Sequence, residues 1–512
     1  MTKRIIHDWI KYHAIRRPSS IALVDYETGY EITYKDLSAQ IDSCAIFLKE
    51  KYHIAPGDRV ATLAQNCVEI FVVQFACARL RAIFLPMNWR LADQELDYIA
   101  TDAGPKVIFS DERFFDTGES LSRRLGSLSN ELIGNSSDFS IALSQNRILQ
   151  TEDLPGFDDV WHILYTSGTT GRPKGAQLSH GQNLLQCLSL GSEYCVTNES
   201  VGLTYTPTFH ASGLFMFSNP MLLQGGKTIL MRQFDAQLCL DLLKNPTVGV
   251  THTLAIPTNL LMIRNLDDFS DVDFAGLTIG SGGMPVPIAL IEEFASHGAK
   301  VPQVWGMTEL CGVSTSLPTE DYLRKAGSCG PPLMNVEISI IDSDQKHIKK
   351  PNIIGEIVAR GPMVMRGYWG LENRNNEFFI PNGWFRTGDA GKIDKDGYLT
   401  ISGRWKDMYI SGGENVYPAE VEEVIYQISE VHEVAVIGIP HELWGETGRA
   451  LIVLKPNMHL SEEQVTQFCK SNLAGYKVPK SVLFVEDLPH SANGKIQKSK
   501  LNADYGQNSK AG

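Results

Sequence analysis

The sequence predicts an α/β protein of more than one domain. Three observations carry this. Residues 58–111 alternate between short apolar runs of strand length and longer runs with helical spacing, and the alternation resumes over 160–305; this rhythm builds parallel sheets covered by helices. Residues 336–403 turn strand-rich, and a further α/β stretch follows over about 407–505. The chain has 512 residues, more than one ordinary domain holds.

The elements follow in order. Residues 59–63 read as a strand, 68–81 as a helix, 82–86 as a strand, 93–102 as a helix and 106–110 as a strand. The stretch 116–157 is polar and rich in Ser and Asn, which predicts loops or an irregular connection. Beyond it come strands at 160–165, 201–205, 228–231, 248–254 and 277–280, with helices at 181–190, 257–265 and 287–297. In the strand-rich stretch, 336–341 and 355–360 are short strands, and 392–401 is a hairpin around Asp396 and Gly397. The last stretch offers helices at 418–428 and 461–472 and strands at 433–439, 449–454 and 481–486. Residues 506–512 read as a disordered tail.

Bulk composition excludes several classes. Apolar residues make up 43% and charged residues 21%, and the net charge is −13. That balance argues against a nucleic-acid binder. The nine cysteines form no C-x-x-C pair, so a disulfide framework or zinc site is not expected, and a reducing, cytoplasmic setting fits best. The N-terminus lacks an apolar signal region, and the most apolar run, 70–87, is broken by Gln74, Arg79 and Arg81. No transmembrane segment is expected, although peripheral membrane contact stays open.

The richest chemistry lies in Thr166, Ser167, Gly168, Thr169, Thr170, Gly171, Arg172, Pro173, Lys174 and Gly175. This run follows a strand and precedes a helix start with a capping box, Ser179 and Gln182. Its hydroxyls, glycine N–H groups and lysine can wrap phosphate oxygens. Pro173 before Lys174, and Gly-Ala after it, exclude the common P-loop.

Six further motifs follow. Residues 207–217 join His210 to the apolar Leu214, Phe215, Met216 and Phe217, where a packed core helix is the plain reading. Thr278 to Pro285 carries Ser281, Gly282 and Gly283, whose missing side chains let a flat ring approach the backbone. Gln303 to Glu309 offers Trp305 for stacking on a base, Thr308 for a phosphate and Glu309 as an oxygen ligand for Mg²⁺, with Gly306 and Met307 between. Gly383 to Asp389 ends in a carboxylate able to accept from vicinal hydroxyls. Residues 402–418 include Arg404, which can reach ribose or phosphate oxygens, then Lys406, Asp407, Gly412, Gly413 and Glu414. Pro489 to Lys495 closes on a lysine in a polar loop.

Together these seven motifs resemble, in order, those of the adenylate-forming superfamily, which comprises acyl-CoA synthetases, adenylation domains of nonribosomal peptide synthetases and firefly-type luciferases. The resemblance spans about 20–500. It implies an AMP-binding domain over 1–403 with a strand-rich subdomain at about 330–403, a hinge at 404–407 and a small mobile C-terminal domain over 408–505. It implies ATP, Mg²⁺ and coenzyme A as cofactor and co-substrates. Residues 166–171, Lys174 and Thr308 would hold phosphates, Thr169 and Glu309 the metal, Ser281 to Gly283 and Trp305 to Met307 the adenosine moiety, Asp389 the ribose, and Arg404 ribose or phosphate oxygens. Lys406 or Asp407 would be the pivot, Gly412, Gly413 and Glu414 would border the pantetheine path, and Lys495 would swing in as the catalytic cation. His210 would border the acyl group.

The family's usual tyrosine is Trp305 here, which keeps stacking and drops the phenol. The aspartate with which amino-acid-activating members hold an α-ammonium is absent after His210, so an amino-acid substrate is disfavoured. The expected enzyme is therefore an AMP-forming acyl-CoA synthetase for a hydrophobic carboxylic acid, most simply a medium- or long-chain fatty acid. Its rivals are a ligase for an aryl or other acid, and one that passes the acyl group to a carrier-protein thiol. A luciferase-type oxygenase and an inactive scaffold are weaker alternatives. A monomer or homodimer is expected.

Overall fold

The computed structural model describes residues 4–150, 153–166, 172–412, 414–490 and 496–506. The chain packs as two compact units. One takes residues up to Ile338 together with Ala359–Phe385; the other takes Ser339–Val358 and Arg386 onward. The strand-rich stretch is thus divided between them.

The first unit holds two sheets. The six-stranded sheet runs, in spatial order, Ser129–Ile133, Val107–Asp111, Arg59–Leu63, Ile83–Pro86, Val160–Thr166 and Lys174–Ser179. All neighbours are parallel except the last pair. The eight-stranded sheet runs Gly312–Ser316, Gln303–Met307, Thr278–Gly282, His252–Ala255, Val201–Thr204, Lys227–Leu230, Ile21–Asp25 and Tyr30–Thr33. It is parallel inside and antiparallel at both edges. Inner strands such as Ile83–Pro86 and His252–Ala255 are buried throughout, as parallel strands covered on both faces must be.

The βαβ expectation therefore holds, with corrections. The stretch 116–157 is not irregular: it contains a helix at Phe115–Leu125, the strand Ser129–Ile133 and a helix at Asp138–Ser144. Only Gly118 and Leu121 of the first helix are buried, so its polar composition hid its amphipathic form. The strand Lys174–Ser179 and the helices Trp9–Arg16, Tyr34–Tyr52 and Lys498–Tyr505 were also not expected. The helix after Ser179 runs His180–Glu193 and has both halves of its capping box.

The second unit is built on a five-stranded sheet, Glu414–Val416, Tyr409–Ser411, Gly445–Leu454 and Val431–His441 with Ser481–Phe484 beside Gly445–Leu454. Helices Pro418–Ile425 and Glu462–Asn472 supply Val421, Ile425, Val465 and Cys469 to its core. No helix among the described residues is long and apolar enough to cross a membrane.

Both sheets of the first unit send loops from the C-terminal ends of their parallel strands, where open α/β sheets place ligands. Asn66, buried just past the strand Arg59–Leu63, ties these loops together. Its Nδ2 donates to the carbonyls of Thr206 (3.0 Å) and Met231 (3.1 Å), and its Oδ1 accepts from the Thr208 N–H at 2.9 Å. Replacing Asn66 by Ala leaves three buried backbone groups unpaired; we expect a loss of about 2–3 kcal/mol in stability, read as a lower urea midpoint.

The strand Val160–Thr166 buries His162 completely, against Phe84, Trp161 and Phe215. Burial, and then the nearby His180, push the imidazole pKa well below its ordinary 6.5. The folded chain thus keeps His162 neutral while the unfolded chain takes up a proton below about pH 6.5. Stability drawn from this group is complete above that pH and declines as the pH falls. Unfolding free energies from urea titrations run from about pH 6.5 downward should fall less steeply for His162→Phe than for the parent, by about 1.4 kcal/mol per pH unit at most.

Candidate active site

The strands Val160–Thr166 and Lys174–Ser179 form an antiparallel hairpin with Thr166 opposite Lys174. The expected phosphate loop closes this hairpin. Ser167, Gly168, Thr169, Thr170 and Gly171 lie outside the described residues, but both of its ends are fixed. Gly175 has a packing reason: a Cβ there would come within 2.7 Å of Ile163 and 3.1 Å of the Tyr165 ring. The Lys174 ammonium lies 4.6 Å from the Phe378 ring centroid and 5.3 Å from that of Tyr368. These rings hold a cation at the hairpin's open end.

Glu309 sits in a single 3₁₀ turn, Thr308–Leu310, between the antiparallel strands Gln303–Met307 and Gly312–Ser316. It is 5% exposed. Its Oε1 accepts from the Tyr368 hydroxyl at 2.7 Å and from the Thr166 hydroxyl at 3.3 Å. Its backbone carbonyl accepts from the Met365 N–H at 2.7 Å. The acidic residue and the mouth of the hairpin are therefore one hydrogen-bonded cluster. Gly306 is needed for the turn itself, since a Cβ there would stand 1.9 Å from the Gly312 carbonyl oxygen. Gly306 is exposed, and Met307 and Thr308 are half-buried.

The glycine-rich run at 278–283 ends the neighbouring strand. Ser281 is buried and donates to the Ala255 carbonyl at 2.9 Å. A Cβ on Gly282 would meet the Val304 carbonyl oxygen at 2.3 Å, and Gly283 has φ +80°. The two glycines thus serve close strand approach and a left-handed turn. Trp305, on the next strand, is 7% exposed, which leaves little of its indole open.

His210 caps the short helix Ala211–Phe215 and is half-buried, its ring 4.7 Å from that of Phe209. Leu214, Phe215, Met216 and Phe217 are buried in the core. Phe215 meets His162 edge-on at 5.2 Å, and Phe217 packs on Tyr194 and His252. In this structure their side chains meet other side chains, as the plain reading of a packed core helix expects.

In the second unit, Asp389 and Arg404 stand opposite each other on the paired strands Trp384–Ile393 and Leu399–Arg404. The guanidinium meets the carboxylate at 2.9 Å. The Asp389 N–H donates to the Thr387 hydroxyl at 3.1 Å, and that hydroxyl donates to the Ile357 carbonyl at 2.7 Å. Asp389 is thus buried, oriented and charge-compensated. Lys406 lies in the turn Trp405–Asp407. Gly412 has φ +61°, and a Cβ on it would strike Trp444 at 2.5 Å. Glu414 opens the strand Glu414–Val416 and is exposed, while Gly413 lies outside the described residues.

Lys495 also lies outside the described residues. The segment that carries it is anchored on both sides: His490 and Ile496 form an antiparallel bridge, and the Gln497 N–H donates to the Pro489 carbonyl at 2.7 Å.

Sequence reasoning missed Tyr368, Phe378 and Asn66. Tyr368 stands in the run Arg366, Gly367, Tyr368, Trp369, Gly370. Nothing in that spacing reveals a partner 59 residues away.

The AMP-binding enzyme family matches residues 10–369, and the AMP-binding enzyme C-terminal domain matches residues 420–495. The long-chain-fatty-acid–CoA ligase FadD13 of Mycobacterium tuberculosis is 37% identical over 506 residues, covering 97% of each chain. A feruloyl-CoA synthase of Amycolatopsis is 36% identical over 482 residues, covering 93% of this chain and 95% of the relative. Among solved structures, ATP-bound MatB from Rhodopseudomonas palustris superposes with a TM-score of 0.87 at 32% identity, covering 97% of this chain and 98% of that one. The chain belongs to the AMP-binding family of adenylate-forming enzymes and is an AMP-forming acid–CoA ligase.

Proposed function

We propose that this ligase activates a carboxylic acid with an apolar body, a medium- or long-chain fatty acid on the first reading, and passes it to coenzyme A. The observation that carries the proposal is the full-length similarity to a fatty-acid ligase, joined to the lack of an acidic partner for an ammonium in the run after His210. An aryl acid is the second reading, because the feruloyl-CoA synthase is as similar over nearly the same length.

On this proposal a carboxylate oxygen attacks the α-phosphorus of ATP, and pyrophosphate leaves with the bond it gives up. Two anions must meet, so the chain has to supply positive charge. Lys174 stands at the mouth of the phosphate loop, and Lys495 is the remote cation for the adenylation step. Glu309, with Thr169, would hold Mg²⁺, which when bound offsets triphosphate charge. Glu309 belongs to no cluster of three protein ligands among the described residues, so the metal's other ligands would come from the nucleotide and water. Ser281, Gly282, Gly283, Trp305, Gly306 and Met307 would receive adenosine, Thr308 a phosphate, Asp389 the ribose, and Arg404 ribose or phosphate oxygens.

The thiol of coenzyme A then attacks the acyl carbonyl, loses its proton and releases AMP. The two half-reactions need different groups about one carbonyl. A domain boundary at 404–407, with Lys406 as pivot, would exchange Lys495 for Gly412, Gly413 and Glu414.

Exchange of labelled pyrophosphate into ATP across fatty, aryl and dicarboxylic acids, with and without coenzyme A, tests the reading. Medium- and long-chain acids should support exchange; activity confined to short dicarboxylates overturns the proposal. Glu309→Gln should lower exchange by about 100-fold. Lys495→Ala should lower adenylation by about 100–1,000-fold while thioester formation from supplied acyl-adenylate largely survives. Equal loss of both half-reactions would refute that assignment of Lys495.

A further inference from the structure

The helix His180–Glu193 runs behind the hairpin and turns Asn183 and Gln186 inward, both fully buried. The Asn183 Nδ2 donates to the Ser179 carbonyl at 2.8 Å. Gln186 has no such use. It is 0% exposed, and neither its amide oxygen nor its amide nitrogen has a hydrogen-bond partner among the described residues. An unpaired buried amide costs about 1–3 kcal/mol per group. A methionine of similar size would avoid that cost, so packing alone gives no reason for glutamine.

Its surroundings suggest what the amide meets. Gly312, three residues after Glu309, has no side chain. A Cβ placed there would lie 3.6 Å from Gln186 Nε2 and 3.5 Å from Phe215 Cβ. The bare backbone of Gly312 therefore faces both the amide and the Phe215 side chain. Phe215 belongs to the helix that His210 caps. The His162 ring, edge-on to Phe215, also has two nitrogens without a hydrogen-bond partner among the described residues. Gln186 and His162 thus both lie near Phe215, five residues after His210.

We propose that Gln186 is a specificity residue that reads a hydrogen-bonding substituent, a hydroxyl or carbonyl, on the part of the acid remote from its carboxylate. The inference rests on the proposed function, which brings the acid in beside His210. The amide offers a donor and an acceptor, and either serves a hydroxyl. A site built this way accepts the analogue that lacks the group less well, because its own polar atoms are then left unpaired.

The test compares matched acids: cinnamate against para-hydroxycinnamate, and octanoate against its terminal hydroxy derivative. Pyrophosphate exchange is measured for the full-length parent, Gln186→Met and Gln186→Glu. The parent should favour the hydroxylated member of at least one pair. In Gln186→Met the ratio of kcat/KM values should shift toward the plain acid by about 10–100-fold, with KM for ATP unchanged. Gln186→Glu, which keeps the acceptor and loses the donor, should also move the ratio and serves if the methionine variant does not fold. A parent without preference, or a ratio that neither variant moves, overturns the inference and leaves the ligase reading standing. Failure of the parent to exchange pyrophosphate with any acid would instead remove the functional reading and this inference with it.

Discussion

The site depends on one buried carboxylate and the two hydroxyls that hold it. Glu309 lies on a single turn at the edge of the eight-stranded sheet, Thr166 at the end of a strand of the six-stranded sheet, and Tyr368 well beyond both in sequence. A carboxylate out of water is tolerated only when it is hydrogen-bonded. Meeting that requirement fixes the mouth of the phosphate-loop hairpin against the acidic turn. Tyr368 does a second job, because the face of its ring lies near the Lys174 ammonium. One side chain therefore sets the relative position of an anion and a cation that the proposed chemistry needs close together.

The same economy governs the glycines. Gly282 and Gly306 stand in motifs that suggest room for a ligand, yet each has a reason within the fold: Val304 and Gly312 carbonyl oxygens occupy the space a side chain would take. Close strand approach and ligand access are compatible, since a backbone pressed tightly to its neighbour also leaves its other surface flat. A substitution at either position would disturb the sheet before it disturbed a nucleotide. Loss of activity there would accordingly say little about adenine contact.

Much of this was legible in the sequence. The strands at 59–63 and 355–360 and the capping box at Ser179 and Gln182 were readable because their signals are local: a run of buried type, or a hydroxyl three residues before an amide. The helices and strand within 116–157 were not, because few of their side chains are buried and polar residues mask the period. Tyr368, Asn66 and Gln186 escaped for a different reason. Each matters through partners brought near by the sheets, and no spacing along the chain announces such partners. The motif at 166–174 could be recognised, but the residue that orders its neighbour Glu309 could not.

On the proposed function, the ion pair of Asp389 and Arg404 prepares the second unit for a sugar. Cross-strand pairing places the guanidinium against one carboxylate oxygen. The Thr387 hydroxyl, itself tied to the Ile357 carbonyl, accepts the Asp389 N–H and sets the backbone. An acceptor that reads two vicinal hydroxyls must have a fixed orientation, because each hydroxyl needs its own lone pair. An unpartnered aspartate on a strand would rotate among its rotamers and spend binding energy on being ordered. Arginine removes that freedom in advance, and its planar fork still leaves N–H groups to meet phosphate or ribose oxygens. On the proposed function, replacing it by lysine would keep the charge and lose the fork, so the two residues act as one preorganised unit rather than as separate contacts.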